Sequence, residues 1–121
     1  MMEIPEEADL ISVFESLPGR QDETENFYYD TSSFIFENKN EVMEVRIAPF
    51  YDEFIMDVKE KNSNEVLSYM KLLSVRKIEI AADEKEYSII RLFHGESDLY
   101  ENIIEITLRP KFKLIFKEQY R

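Results

Sequence analysis

Cysteine and tryptophan are missing from this 121-residue chain, histidine occurs once, glycine twice and proline four times. Without cysteine there is neither a disulfide framework nor thiolate chemistry, so stability has to come from a packed core. A single histidine, His94, with no cysteine leaves no nitrogen and sulfur cluster of the kind zinc needs. Two isolated glycines, Gly19 and Gly95, cannot build a glycine-rich loop around a phosphate, which excludes the nucleotide-binding fingerprints. They also leave most turns to Asn, Asp and Pro. No apolar run approaches the roughly 18 to 20 residues of a membrane span. The opening MMEIPEEADL carries acids where a secretory leader needs a basic start, so a cytoplasmic location is the expectation.

What is present is charge and aromatic surface. The chain has 26 acidic and 15 basic residues, a net charge of −11, together with 44% apolar residues. That apolar content supplies a core and argues against disorder. The charge is unevenly placed. Among the first thirty residues Arg20 is the single base against nine acids, whereas Arg109, Lys111, Lys113, Lys117 and Arg121 make the last segment basic. Such a balance repels phosphate backbones and anionic membranes, and it attracts and steers a basic protein surface; general solubility is the plainer use of the same charge.

Leu10, Val13, Phe14 and Leu17 recur at helical spacing, with Pro5 at the favoured first position and Glu6, Glu7 and Asp9 near the positive end of the dipole. A helix over 5–17 is expected, then an acidic loop over 18–26. From Phe27 the period changes to two. Phe34 and Phe36, then Met43, Val45 and Ile47, then Phe54, Met56 and Val58 alternate with polar residues, with turns at Asn38 to Asn40 and Pro49 to Asp52. Val75 to Ile80 and Tyr87 to Phe93 read as strands about a turn at Asp83 to Lys85. Residues 65–73 tolerate a capped helix or a strand, and strand is favoured. Ile104, Ile106 and Leu108, followed by Phe112, Leu114 and Phe116, form a terminal hairpin whose solvent face would set acids against lysines. The fold class expected is mainly β within α+β: one domain over 1–121, with an N-terminal helix and an antiparallel sheet of about seven or eight strands over 27–121 forming a sandwich or partly open barrel.

No serine lies in a nucleophile setting, and the abundance of carboxylates makes any one pair uninformative. His94, in HGESD, is expected as an exposed loop residue, with Glu96 or Asp98 within reach as orienting carboxylates. The acidic stretch from Asp22 lacks the alternating ligands and central glycine of a calcium loop. No catalytic, metal or cofactor residue is therefore assigned, and the chain is not expected to be an enzyme. Tyrosines at strand ends beside acids give a protein-binding surface with large contact area at low entropic cost, or serve as ordinary edge packing. The expected function is a non-catalytic acidic module that binds a basic protein, in one version an immunity- or antitoxin-like inhibitor covering a nuclease active site. Asp22, Glu23, Glu25, Tyr28 and Tyr29 would carry the contact. Two alternatives stand beside it. In the first, a small-ligand or enzymatic barrel has a cavity lined by Phe34, Phe36, Met56 and Phe112. In the second, a homo-oligomer joins through an exposed edge strand, the basic last strand against an acidic edge of a neighbour.

Overall fold

The computed structural model describes residues 1–121. Two antiparallel sheets face each other. The first has the order β1-β2-β3-β4-β5, comprising Gly19–Arg20, Ser32–Glu37, Glu41–Ala48, Glu53–Glu60 and Val66–Leu72. The second has the order β6-β7-β8-β9, comprising Val75–Glu84, Tyr87–His94, Tyr100–Arg109 and Lys113–Tyr120. Within each sheet every strand pairs with its neighbour in sequence, so the fold is two meanders joined by the two residues Leu73 and Ser74, and the sheets do not close into a barrel.

The alternation seen in the sequence sets which face is buried. Phe34 and Phe36 on β2, Met43, Val45 and Ile47 on β3, and Phe54, Met56 and Val58 on β4 all turn inward. They meet Ile90 and Leu92 of β7 and Ile104, Ile106 and Leu108 of β8 in a core cluster of 20 buried residues. Shifting any of these strands by one residue would turn its apolar set to water, so the register is strongly specified. Phe34, Phe36 and Met56 are packed within this core, and Phe112 packs half-buried against its edge.

The helix α1, Glu7–Phe14, closes the side of the sandwich with Leu10, Val13 and Phe14, the last tilted against Phe34 at a ring separation of 5.0 Å. It is shorter than the expected 5–17 at both ends. Glu6 is its N-cap, so Pro5 precedes the helix, and residues 2 and 3 run extended, with Glu3 bridged in parallel to Lys77 at the edge of β6. At the other end Glu15 takes the left-handed conformation, φ 51°, and its N–H bonds back to Ile11 and Ser12. The chain turns there, three residues before Pro18, and Leu17 is left exposed.

Three further expectations are corrected. Strand does not begin at Phe27: Phe27–Tyr29 is a 3-10 turn, capped by the Asn26 side chain, and β2 starts at Ser32. Strand β6 runs on to Glu84, moving the turn to Lys85 and Glu86. The terminal hairpin forms, but its charges do not pair across it, because the register sets Glu105 against Ile115, Thr107 against Lys113 and Ile103 against Lys117. Glu105 instead meets Arg91 on β7 at 3.2 Å, and Arg91 also meets Glu79 of β6 at 2.8 Å. Residues 65–73 contain strand β5, as the apolar and aromatic content favours.

His94 is also placed differently. It ends β7 on the face of Ile90 and Leu92, half-buried, its ring 5.8 Å from Phe116 and its Nε2 without a hydrogen-bond partner. Neither Glu96 nor Asp98 orients it. Burial, and next the nearby Arg76 charge, hold the imidazole below its ordinary range. The unfolded chain, titrating near 6.5, therefore takes up a proton before the folded one does. Stability is full above about pH 6.5 and falls as the pH drops from there towards the folded value. Urea melts at stepped pH should show that decline in the native chain and lose it in His94→Leu.

Candidate functional site

The candidate surface is built where two 3-10 turns meet at one end of the first sheet. The first, Phe27–Tyr29, follows the acidic loop; the second, Pro49–Tyr51, joins β3 to β4 and has proline in its first turn, where no N–H is missed. Phe27 and Pro49 point inward and anchor the two turns. Tyr29, Phe50 and Tyr51 face out. Tyr29 lies 5.7 Å from Phe50, and Phe50 lies edge-on to Tyr51 at 5.3 Å. These three rings remain 54%, 52% and 70% exposed, so a contiguous aromatic cluster stands in water. Asp52, at φ 57°, ends the second turn in the left-handed conformation and Glu53 follows, which places acids directly after the rings as Glu23 and Glu25 stand before them.

The acidic loop is held by one clamp. Arg20 donates to the Asp30 carboxylate at 2.7 Å, to the Glu25 carbonyl at 2.6 Å and, more weakly, to Glu7 at 3.5 Å, while its guanidinium lies over the Phe27 ring. Asp30 is buried and also accepts the backbone N–H of Asp22. Desolvation alone would raise its pKa. The Arg20 hydrogen bond, the backbone N–H groups of Asp22 and Thr31 and the Arg20 charge outweigh that and hold the carboxyl below the usual range. The hydrogen bond to Asp30, in turn, raises the Arg20 guanidinium above its ordinary value. Because the folded value of Asp30 is depressed, this stabilisation is present above the ordinary carboxylate range and is lost as the pH falls through the folded value.

Among the residues assigned from sequence, Glu23 is exposed and makes no hydrogen bond or ion pair to the rest of the chain. Asp22 and Glu25 are exposed but partly occupied: Asp22 accepts from the Thr24 N–H and hydroxyl, and Glu25 from the Asn26 N–H. Tyr29 joins the exposed cluster. Tyr28 does not; it is half-buried, edge-on to Phe27 and packed against the core. Neither Phe50 nor Tyr51 is among the residues assigned from sequence. No family model, curated protein or solved structure matches this chain.

Elsewhere the surface offers less. A cleft of about 560 Å³ between the N-terminal segment and β6 has Glu3, Asp9, Lys77, Glu79 and Asp83 as its polar lining, and Lys77 is already within 3.5 Å of Glu79. No three histidine, aspartate or glutamate side chains converge as a metal site requires. No helix is long and apolar enough to cross a membrane.

Proposed function

We propose that this chain is a protein-binding module that docks a basic partner on the pole made by Tyr29, Phe50 and Tyr51. The observation that carries this reading is the cluster of three exposed rings on turns that are themselves anchored in the core. Exposed aromatic clusters of this kind are uncommon on a soluble surface unless something covers them, and aromatic anchors dominate interface energetics. The turns that carry the rings are anchored in the core by Phe27 and Pro49, so little backbone entropy is lost on binding. Acids on either side along the chain, and a net charge of −11, attract a cationic surface and reject competitors of like sign.

An immunity- or antitoxin-like inhibitor is one form of this function, with the acidic pole covering the cationic active site of a nuclease. The protein encoded beside this one, if basic, is the first partner to test. Calorimetric titration should give an affinity that falls as salt rises. The pair Phe50→Ala and Tyr51→Ala together should weaken binding by about a hundredfold, the scale of one interface hot spot, while the thermal midpoint stays close to native. An affinity indifferent to both the rings and salt would overturn the proposal.

A further inference from the structure

Strand β9 leaves a complete sheet edge uncovered. The Arg121 N–H bonds to the Leu99 carbonyl, which continues the β8–β9 register by one pair. Hydrogen-bonded and open pairs alternate in an antiparallel ladder, so the odd-numbered residues of β9 are the ones bonded to β8. The N–H and C=O groups of Leu114, Phe116, Glu118 and Tyr120 therefore point off the free edge. No register shift interrupts the pairing. At the other end of the same sheet the edge of β6 is partly covered by Glu3.

Both faces of this edge carry a pattern. Leu114 and Phe116 are the cross-strand partners of the buried Ile106 and Ile104, so they lie on the core face, yet they are 37% and 55% exposed and belong neither to the core cluster nor to the side chains packed against it. The opposite face presents Lys113, Ile115 and Lys117. In a chain with 26 acids, neither lysine has a carboxylate within ion-pair distance, and the same holds for Lys111 and Arg121.

We infer that β9 accepts an extended segment of a partner protein as a fifth strand of the second sheet, three apolar residues flanked by acids. This surface is separate from the aromatic pole and goes beyond the function proposed for it. The unmet backbone groups supply the hydrogen bonds of strand addition. Cross-strand partners share a face, so acids opposite Lys113 and Lys117 complete two ion pairs, and the three residues between them meet Leu114, Ile115 and Phe116. A second copy of β9 is a poorer occupant. The antiparallel register that sets Leu114 against Phe116 also sets Lys113 against Lys117 twice, and the next register sets Leu114 against Glu118.

The test uses the full chain and two synthetic peptides, Ser-Glu-Val-Phe-Val-Glu-Ser and the same sequence with lysine in place of each glutamate. The acidic peptide should bind, the basic one should not, and isotope-edited infrared spectra should show an added antiparallel strand. Lys113→Glu with Lys117→Glu should weaken the acidic peptide by about tenfold, the scale of two exposed cross-strand pairs, and should transfer preference to the basic peptide. Glu118→Pro removes an N–H that β8 does not use, so it should leave the melting temperature near native and abolish binding; a Glu118→Ala control retains the peptide. Failure of the acidic peptide to bind would overturn the inference and leave the lysines as guards against aggregation. Equal binding of both peptides would also overturn it, as would light scattering that shows a dimer dissociated by Glu118→Pro. The pole variant Phe50→Ala, Tyr51→Ala should bind the acidic peptide as well as the native chain does.

Discussion

Asp30→Ala is expected to destabilise the chain by about 3 kcal/mol, because it removes one partner of a buried pair and leaves Arg20 with only the weaker Glu7 contact and the Glu25 carbonyl. The Asp30 side chain is 4% exposed and that of Arg20 14%, with a 2.7 Å contact between them. The loss also frees the Asp22 N–H and the whole of the loop that leads to Tyr29. Urea unfolding at neutral pH measures it. Asp30→Asn keeps the shape and part of the hydrogen bonding, so it should fall between the two. Replacing both residues with alanine should be less harmful than the sum of the single changes, since the double variant strands no charge. A loss under about 1 kcal/mol for Asp30→Ala would mean that the loop is held by something other than this clamp.

The second large effect is expected at Arg109. Its guanidinium gathers three parts of the molecule: it donates to the hydroxyl of the fully buried Ser88 at 3.0 Å and to the Lys85 carbonyl at 2.9 Å, meets Asp83 at 3.3 Å and also pairs with Glu15. The same group lies 5.7 Å from the centroid of the Phe36 ring. Helix α1, the β6–β7 turn and the end of β8 are thereby tied to one side chain. Arg109→Ala should cost about 3 kcal/mol, with the unsatisfied Ser88 hydroxyl as a principal term and the exposed ion pairs as minor ones. Arg109→Lys keeps the charge without the planar fork and should recover less than half of that. A double-mutant cycle with Ser88→Ala isolates the buried contribution, which should be the largest of the pairwise couplings.

The strands were legible because period-two alternation is local, and burying one face fixes the rest. Phe34 and Phe36, Met43 to Ile47, and Ile104 to Leu108 each carry their own statement of which side is inside. What escaped the sequence depends on contacts between distant segments. The αL conformation of Glu15 has no local signature in an acidic residue, so the helix stops earlier than Pro18 implies. Glu105 finds Arg91 rather than the lysines of β9 because the hairpin register, set at the Arg109 to Phe112 turn, places Ile115 opposite it. The half-buried place of His94 follows from one more residue of β7 pairing than the polar stretch after it suggests.

At the candidate site the same division holds. The acids and Tyr29 were visible from composition and position, whereas the aromatic pole requires Phe50, with Tyr51 edge-on to it, to be brought against Tyr29 across twenty residues of chain. The signal that was present lay in Pro49 to Asp52, where two adjacent aromatics fall in a turn with no alternation to bury them. Arg20, the single base among the first thirty residues, carried a signal of its own: an isolated cation amid nine acids is placed to organise them. Tyr28, by contrast, is indistinguishable from Tyr29 in sequence, and only the 3-10 geometry separates the half-buried ring from the exposed one.

The most direct test of binding through the pole is a hydrogen-exchange footprint of the chain alone and with the basic protein proposed as its partner. Slowed exchange confined to residues 22–29 and 49–53, lost in the Phe50→Ala, Tyr51→Ala variant, is the predicted result. Protection centred on the cleft between Glu3 and Asp83, with the two 3-10 turns unchanged, would contradict it.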